Sequence, residues 1–185
     1  MRAWALAMLV AGLTPGDPAV TETVLYYDVS GLTADDIRAS MNRRRPEGTR
    51  TRFGDGRTEW RLTWSHEYSL GANQCRLLSS KVTLAVTTTL PRWARTALAS
   101  PELVTRWERY LRALTLHEAG HAENGRDALR ALTGRLREMS TFEDCDSLEA
   151  AIVKAGKETV AFYSGADAAY DARTSHGLSQ GASFP

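Results

Sequence analysis

Residues 117 to 121 read His-Glu-Ala-Gly-His. On a helix, positions i and i+4 are neighbours, with Cβ atoms about 5–6 Å apart. Two imidazoles at that separation can converge on one metal ion at about 2.0–2.1 Å each. Glu118 is rotated from His117 by about 100°. It misses the ion but can reach a metal-bound water, where a general base belongs. The metal lowers the pKa of that water toward about 7, and Glu118 takes its proton as hydroxide attacks a polarised carbonyl. These residue types at this spacing point to zinc-dependent hydrolysis.

A catalytic zinc takes a third protein ligand and keeps one position open for water. His176 ranks first, an imidazole in a glycine-flanked segment able to fold back over the active helix. Asp127, Glu158 and Asp171 are the alternatives. Asp127 follows His117 by ten residues. On a continuous helix it lies about 9 Å further along the axis than His121 and cannot share the ion. His66 falls on the apolar face of an alternating stretch and reads as a satisfied core histidine.

The elements that must position these groups follow from local patterns. Thr23 to Ser30 is rich in β-formers and stops at Gly31, which marks a strand. Thr33 and Asp36 form a capping pair for a short helix to about Met41. Arg43, Arg44 and Arg45 then read as a solvated loop rather than an anion contact. After the turn Gly54-Asp55-Gly56, Thr58, Trp60, Leu62, Trp64, His66 and Tyr68 alternate with polar residues, as a half-buried strand does. A second β-rich stretch runs from Cys75 to Leu90. Together these predict a small, mainly antiparallel sheet.

The pattern then becomes helical. Ser100-Pro101-Glu102 is a helix start: a cap, a proline whose missing N–H does no harm, and an acid at the positive end of the dipole. Tyr110, Leu114, His117 and His121 share a face. Helical character runs to about Met139, with Asn124-Gly125 as a candidate break. A further helix is expected from Ser147 to about Tyr163, and Tyr170 to Gly177 reads as loop.

The 185 residues suit one domain. With 43% hydrophobic and 24% charged residues the composition is that of a globular protein, which excludes a disordered or low-complexity chain. A net charge of +1 gives no overall pull toward nucleic acid. Arg2 followed by an uncharged run to Leu13 has the order of an export signal, so residues 1–19 are expected to be a signal peptide and 20–185 the catalytic domain. The run is too short to span a bilayer, which takes about 20 residues. Cys75 and Cys145 would pair in an oxidising compartment and contribute about 4 kcal/mol by restricting the unfolded chain.

Several segments occur in one order: Tyr26-Tyr27-Asp28-Val29-Ser30-Gly31, the Trp60/Trp64 strand, Cys75, Pro91-x-Trp93, the His117–His121 motif, and Tyr170-Asp-x-x-Thr174-x-His176-Gly177. Together they resemble the bacterial family catalogued as domain of unknown function 922, described as secreted zinc-dependent proteases. The resemblance implies export, zinc and hydrolysis. It strengthens His176 as a ligand and leaves Tyr170, Asp171 and Arg173 as groups around the metal or the oxyanion, with Tyr170 suited to bonding a tetrahedral intermediate.

The expected fold is α+β and zincin-like: a small antiparallel sheet packed on a long active-site helix, with a C-terminal helical segment. The expected function is a periplasmic or secreted zinc metallopeptidase. His117, His121 and His176 would hold Zn2+, Glu118 would be the general base and Tyr170 a catalytic neighbour. Its partner would be a peptide or protein substrate. Two rivals are a secreted binding or scaffolding module with a structural zinc, and a zinc amidase acting on a cell-wall component.

Overall fold

The computed structural model describes residues 19–45, 54–95 and 97–185. The expected signal peptide lies outside the described residues except for Ala19. Strand β1 spans Ala19–Val29 and helix α1 Ala34–Arg44. Thr33 caps α1 with a reciprocal box to Asp36, and Arg43 and Arg44 form its basic last turn. Strands β2 (Arg57–Leu70) and β3 (Cys75–Trp93) follow, then helix α2 (Pro101–Glu138), the two-residue strand β4 (Thr141–Phe142) and helix α3 (Cys145–Thr174).

The alternation in β2 sets the inner face of the sheet. Leu62 is buried between the half-buried Trp60 and Trp64, and the intervening residues are exposed. Val82, Leu84 and Val86 of β3 join Leu62, and Leu129, Leu132 and Leu136 of α2 close over them together with Leu148 and Ile152 of α3. Burial of each such side chain contributes about 1.5–3 kcal/mol.

The sheet is mixed rather than antiparallel. Strand order is β1-β3-β2, with β4 on the start of β3. β2 and β3 pair antiparallel, but β1 pairs parallel with β3, Ala19 opposite Thr83 and Val29 opposite Trp93. A parallel neighbour needs a crossover. Here α1 and β2 come between the two strands in sequence, and the β2–β3 hairpin inserts β3 beside β1.

Both long helices depart from expectation. α2 is one 38-residue helix, with no break at Asn124-Gly125. Gly125 serves packing instead: a Cβ there would stand 2.9 Å from Trp60 Cβ. α3 starts before Ser147 and continues past Tyr163 to Thr174, so Tyr170 to Thr174 are helical and not loop. Gly156 lets α3 approach the sheet, because a Cβ would meet the Trp64 ring at 2.3 Å. The Cys75–Cys145 disulfide joins the start of β3 to the start of α3.

A second core cluster sits at the other end of α2. It gathers Tyr27, Val29, Ile37, Met41, Trp93, Trp107 and Tyr110 around Phe184, from the segment after α3. Among the described residues no helix is long and apolar enough to cross a membrane.

Candidate metal centre

His117 and His121 lie one turn apart on α2, on the side facing α3, and both are buried. Their Nε2 atoms are 3.4 Å apart. Asp171 of α3 completes a triangle: its Oδ1 is 3.1 Å from His117 Nε2 and 3.2 Å from His121 Nε2. The three ligand atoms lie within 4.8 Å of one another, as atoms able to share one ion must.

Each imidazole is held from behind. His121 Nδ1 faces Asp167 Oδ1 at 3.0 Å. Asn124 Nδ2 donates to the same oxygen, and Trp60 Nε1 to the other, both at 2.7 Å. These bonds hold the Asp167 carboxyl below its ordinary pKa although burial pushes it up. An ionised Asp167 is a pure acceptor, so His121 donates from Nδ1 and its Nε2 is left for a ligand bond. On His117 the nearer acceptor is the Gln180 amide oxygen, 3.0 Å from Nδ1, with the Thr174 hydroxyl at 3.4 Å.

The two histidines shift in opposite directions. Burial lowers the His117 pKa, and the nearby His121 adds to that. Burial also acts to lower the pKa of His121, but the Asp167 bond and the charges of Asp171 and Glu118 outweigh it and raise the value.

Tyr170 stacks on His117, with ring centroids 5.1 Å apart and planes 12° from parallel, and meets His121 edge-on. Gly120 explains how it fits. A Cβ at Gly120 would come within 2.4 Å of the Tyr170 hydroxyl. The glycine inside the His-Glu-Ala-Gly-His stretch is thus the seat of a tyrosine.

Glu118 faces the sheet and is 4% exposed. Its carbonyl accepts from Thr58 Oγ1 at 3.2 Å. Gly56 lies against its carboxylate, since a Cβ there would be 2.6 Å from Oε1. The other oxygen, Oε2, is buried without a hydrogen-bond partner. Burial raises the Glu118 pKa. An unpaired buried carboxylate oxygen is costly, and it lies one residue from a group that could hold a metal ion. Two imidazole nitrogens and a carboxylate oxygen are the donor types zinc accepts, so the residues fit a divalent ion.

The structure brings His117, Glu118, His121, Tyr170 and Asp171 together. His176 stands outside the three-atom group, with an exposed side chain and Nδ1 3.5 Å from Asp171 Oδ1. Asp127 and Glu158 point elsewhere: Asp127 pairs with Arg130, and Glu158 with Arg135 at 2.6 Å. His66 pairs with Glu149 at 2.7 Å, away from the site. Sequence reasoning missed Asp167, Gln180 and the role of Gly120. The spacing Asp167, Tyr170, Asp171, Thr174 is that of one helical face and could have placed the first, had the segment been read as helix.

The family model described as bacterial protein of unknown function (DUF922) matches residues 24–177. No curated protein and no solved structure matches the chain.

Proposed function

The chain belongs to the bacterial family of unknown function DUF922, and we propose that it is an exported zinc-dependent peptidase whose metal is held by His117, His121 and Asp171. The observation that carries the reading is the convergence of two Nε2 atoms and one carboxylate oxygen beside a buried glutamate with a free oxygen. Bound zinc supplies Lewis acidity toward a carbonyl and acidifies a water. With the ion bound, Glu118 would accept a proton from the attacking water and return it to the leaving nitrogen as the C–N bond breaks. The raised pKa of Glu118 suits both halves of this cycle. Tyr170 offers its hydroxyl to the developing oxyanion. The ligand set differs from the sequence expectation: Asp171, on the helical face, takes the place given to His176.

A peptide substrate suits the sheet. β2 is an edge among the described strands. Its Thr58 hydroxyl donates to the Glu118 carbonyl at 3.2 Å. An extended chain added to that edge gains backbone hydrogen bonds on the strand that touches the general base. The disulfide and the apolar stretch ahead of β1 support export.

The test is Glu118→Gln assayed on a mixed peptide library, with products read by mass spectrometry. Zinc should remain bound while cleavage falls by about 10²–10⁴-fold. Cleavage at the wild-type rate by the zinc-loaded variant would overturn the reading.

A further inference from the structure

The segment after α3 reaches the metal site with His176, 3.5 Å from Asp171, and more closely with Gln180. Ser175, His176 and Gly177 take positive φ values of 51°, 53° and 83°, and the chain turns back over α2. Gly177 rests on His117, where a Cβ would stand 3.0 Å from Cγ. Three residues on, the Gln180 amide meets two site residues at once. Its Oε1 is 3.0 Å from His117 Nδ1, and its Nε2 donates to the Tyr170 hydroxyl at 3.1 Å.

The far end of this strap is anchored. Phe184 is 4% exposed and packs edge-on against Trp107, ring centroids 5.2 Å apart. Arg38 grips Asp55 with bonds of 2.7 and 2.9 Å and also donates to the carbonyls of Phe184 and Pro185. The same arginine therefore ties the strap to Asp55, the neighbour of the Gly56 that abuts Glu118. A side chain held at both ends of its segment can fix a partner's orientation.

We infer that Gln180 is a positioning residue of the metal centre, holding His117 in the Nδ1–H tautomer. A neutral imidazole carries one proton. An acceptor at Nδ1 draws it there, against the competing Asp171 carboxylate 3.1 Å from Nε2, and frees the Nε2 lone pair for an ion shared with Asp171. A donor at the same place would move the proton to Nε2 and block ligation. The amide also donates to the Tyr170 oxygen at 3.1 Å, and its Oε1 lies 3.5 Å from the same hydroxyl, so Gln180 holds the tyrosine as well as the histidine. His121 is held by a charged carboxylate and His117 by a neutral amide, which limits the negative charge packed around the site. This inference rests on the trio being a metal centre.

The experiment compares full-length wild type, Gln180→Met, Gln180→Asn and Gln180→Glu, each checked for its fold by circular dichroism. Imidazole nitrogen shifts, measured by NMR on metal-free protein where the rings are neutral, report the His117 tautomer. Competition with a chromophoric chelator reports zinc affinity. Wild type should show the Nδ1–H form. Gln180→Met should show a mixture and lose roughly 10- to 100-fold in zinc affinity. Gln180→Asn, whose amide is withdrawn by one methylene, should move the same way with less risk to folding. Gln180→Glu keeps an acceptor and should restore both signals. An unchanged tautomer and zinc affinity in folded Gln180→Met or Gln180→Asn would overturn the inference. A wild type that binds no zinc, with the tautomer still lost in Gln180→Met, would sink the metal reading while upholding the hold of Gln180 on His117.

Discussion

Glu118 is the residue whose environment is most at odds with a purely structural role. Its raised pKa means that the native state keeps a proton which the unfolded chain has already released. The sign follows from linkage: as pH rises above the ordinary glutamate value, native stability falls until the folded-state pKa is passed. Above that point the native state carries the full cost of a buried carboxylate. Glu118→Gln removes the charge and keeps the shape. In metal-free protein the variant should therefore melt higher than wild type near neutral pH, and the gap should close on acidification below the glutamate range. A variant that melts lower than wild type at every pH would contradict this. Gly120 gives a second prediction at this scale. Gly120→Ala drives a methyl into the Tyr170 ring, and overpacking of this kind costs about 1–3 kcal/mol, even though alanine is otherwise the better helix former. Chemical denaturation should show that loss; a gain in stability would mean that Tyr170 is not seated as described.

At the scale of elements, what was legible in the sequence was local. Thr33 with Asp36, and Ser100 with Pro101, gave the starts of α1 and α2 because caps act within one turn. The alternation from Thr58 to Tyr68 gave β2 because one face meets the core. The His117–Glu118–His121 geometry needed only a helix. The end of α3 was not legible, because its buried face there is polar. Asp167, Asp171 and Thr174 take the positions where hydrophobic periodicity would place apolar residues, and they face histidines. The parallel pairing of β1 with β3 was hidden for another reason, since strand order is set by long-range packing and not by composition. Gly125 read as a break because a glycine in a helix is weak, whereas the contact with Trp60 is visible only once β2 and α2 are docked. The disulfide is an element-scale clamp between β3 and α3 over a separation of 70 residues. Replacing both cysteines by alanine should lower unfolding free energy by about 4 kcal/mol in the chain-entropy model. Urea titration would measure it, and a loss near zero would show that the unfolded chain is already constrained.

At the scale of the whole molecule, three pieces of chain converge on one turn of α2. The sheet reaches Glu118 through Gly56 and Thr58. α3 delivers Asp167, Tyr170 and Asp171, and the strap behind it delivers Gln180. Two core clusters, one at each end of α2, hold these pieces in place. Such an arrangement concentrates acidic and imidazole groups at a single buried point, which the fold tolerates at a cost and a divalent cation would offset. The most direct measurement is the zinc content, by elemental analysis, of dialysed wild type, Asp171→Ala and His176→Ala side by side. The account predicts about one zinc per chain in wild type and in His176→Ala, and its loss from Asp171→Ala. A folded wild type without zinc after metal is supplied, or zinc kept by Asp171→Ala and lost from His176→Ala, would contradict it.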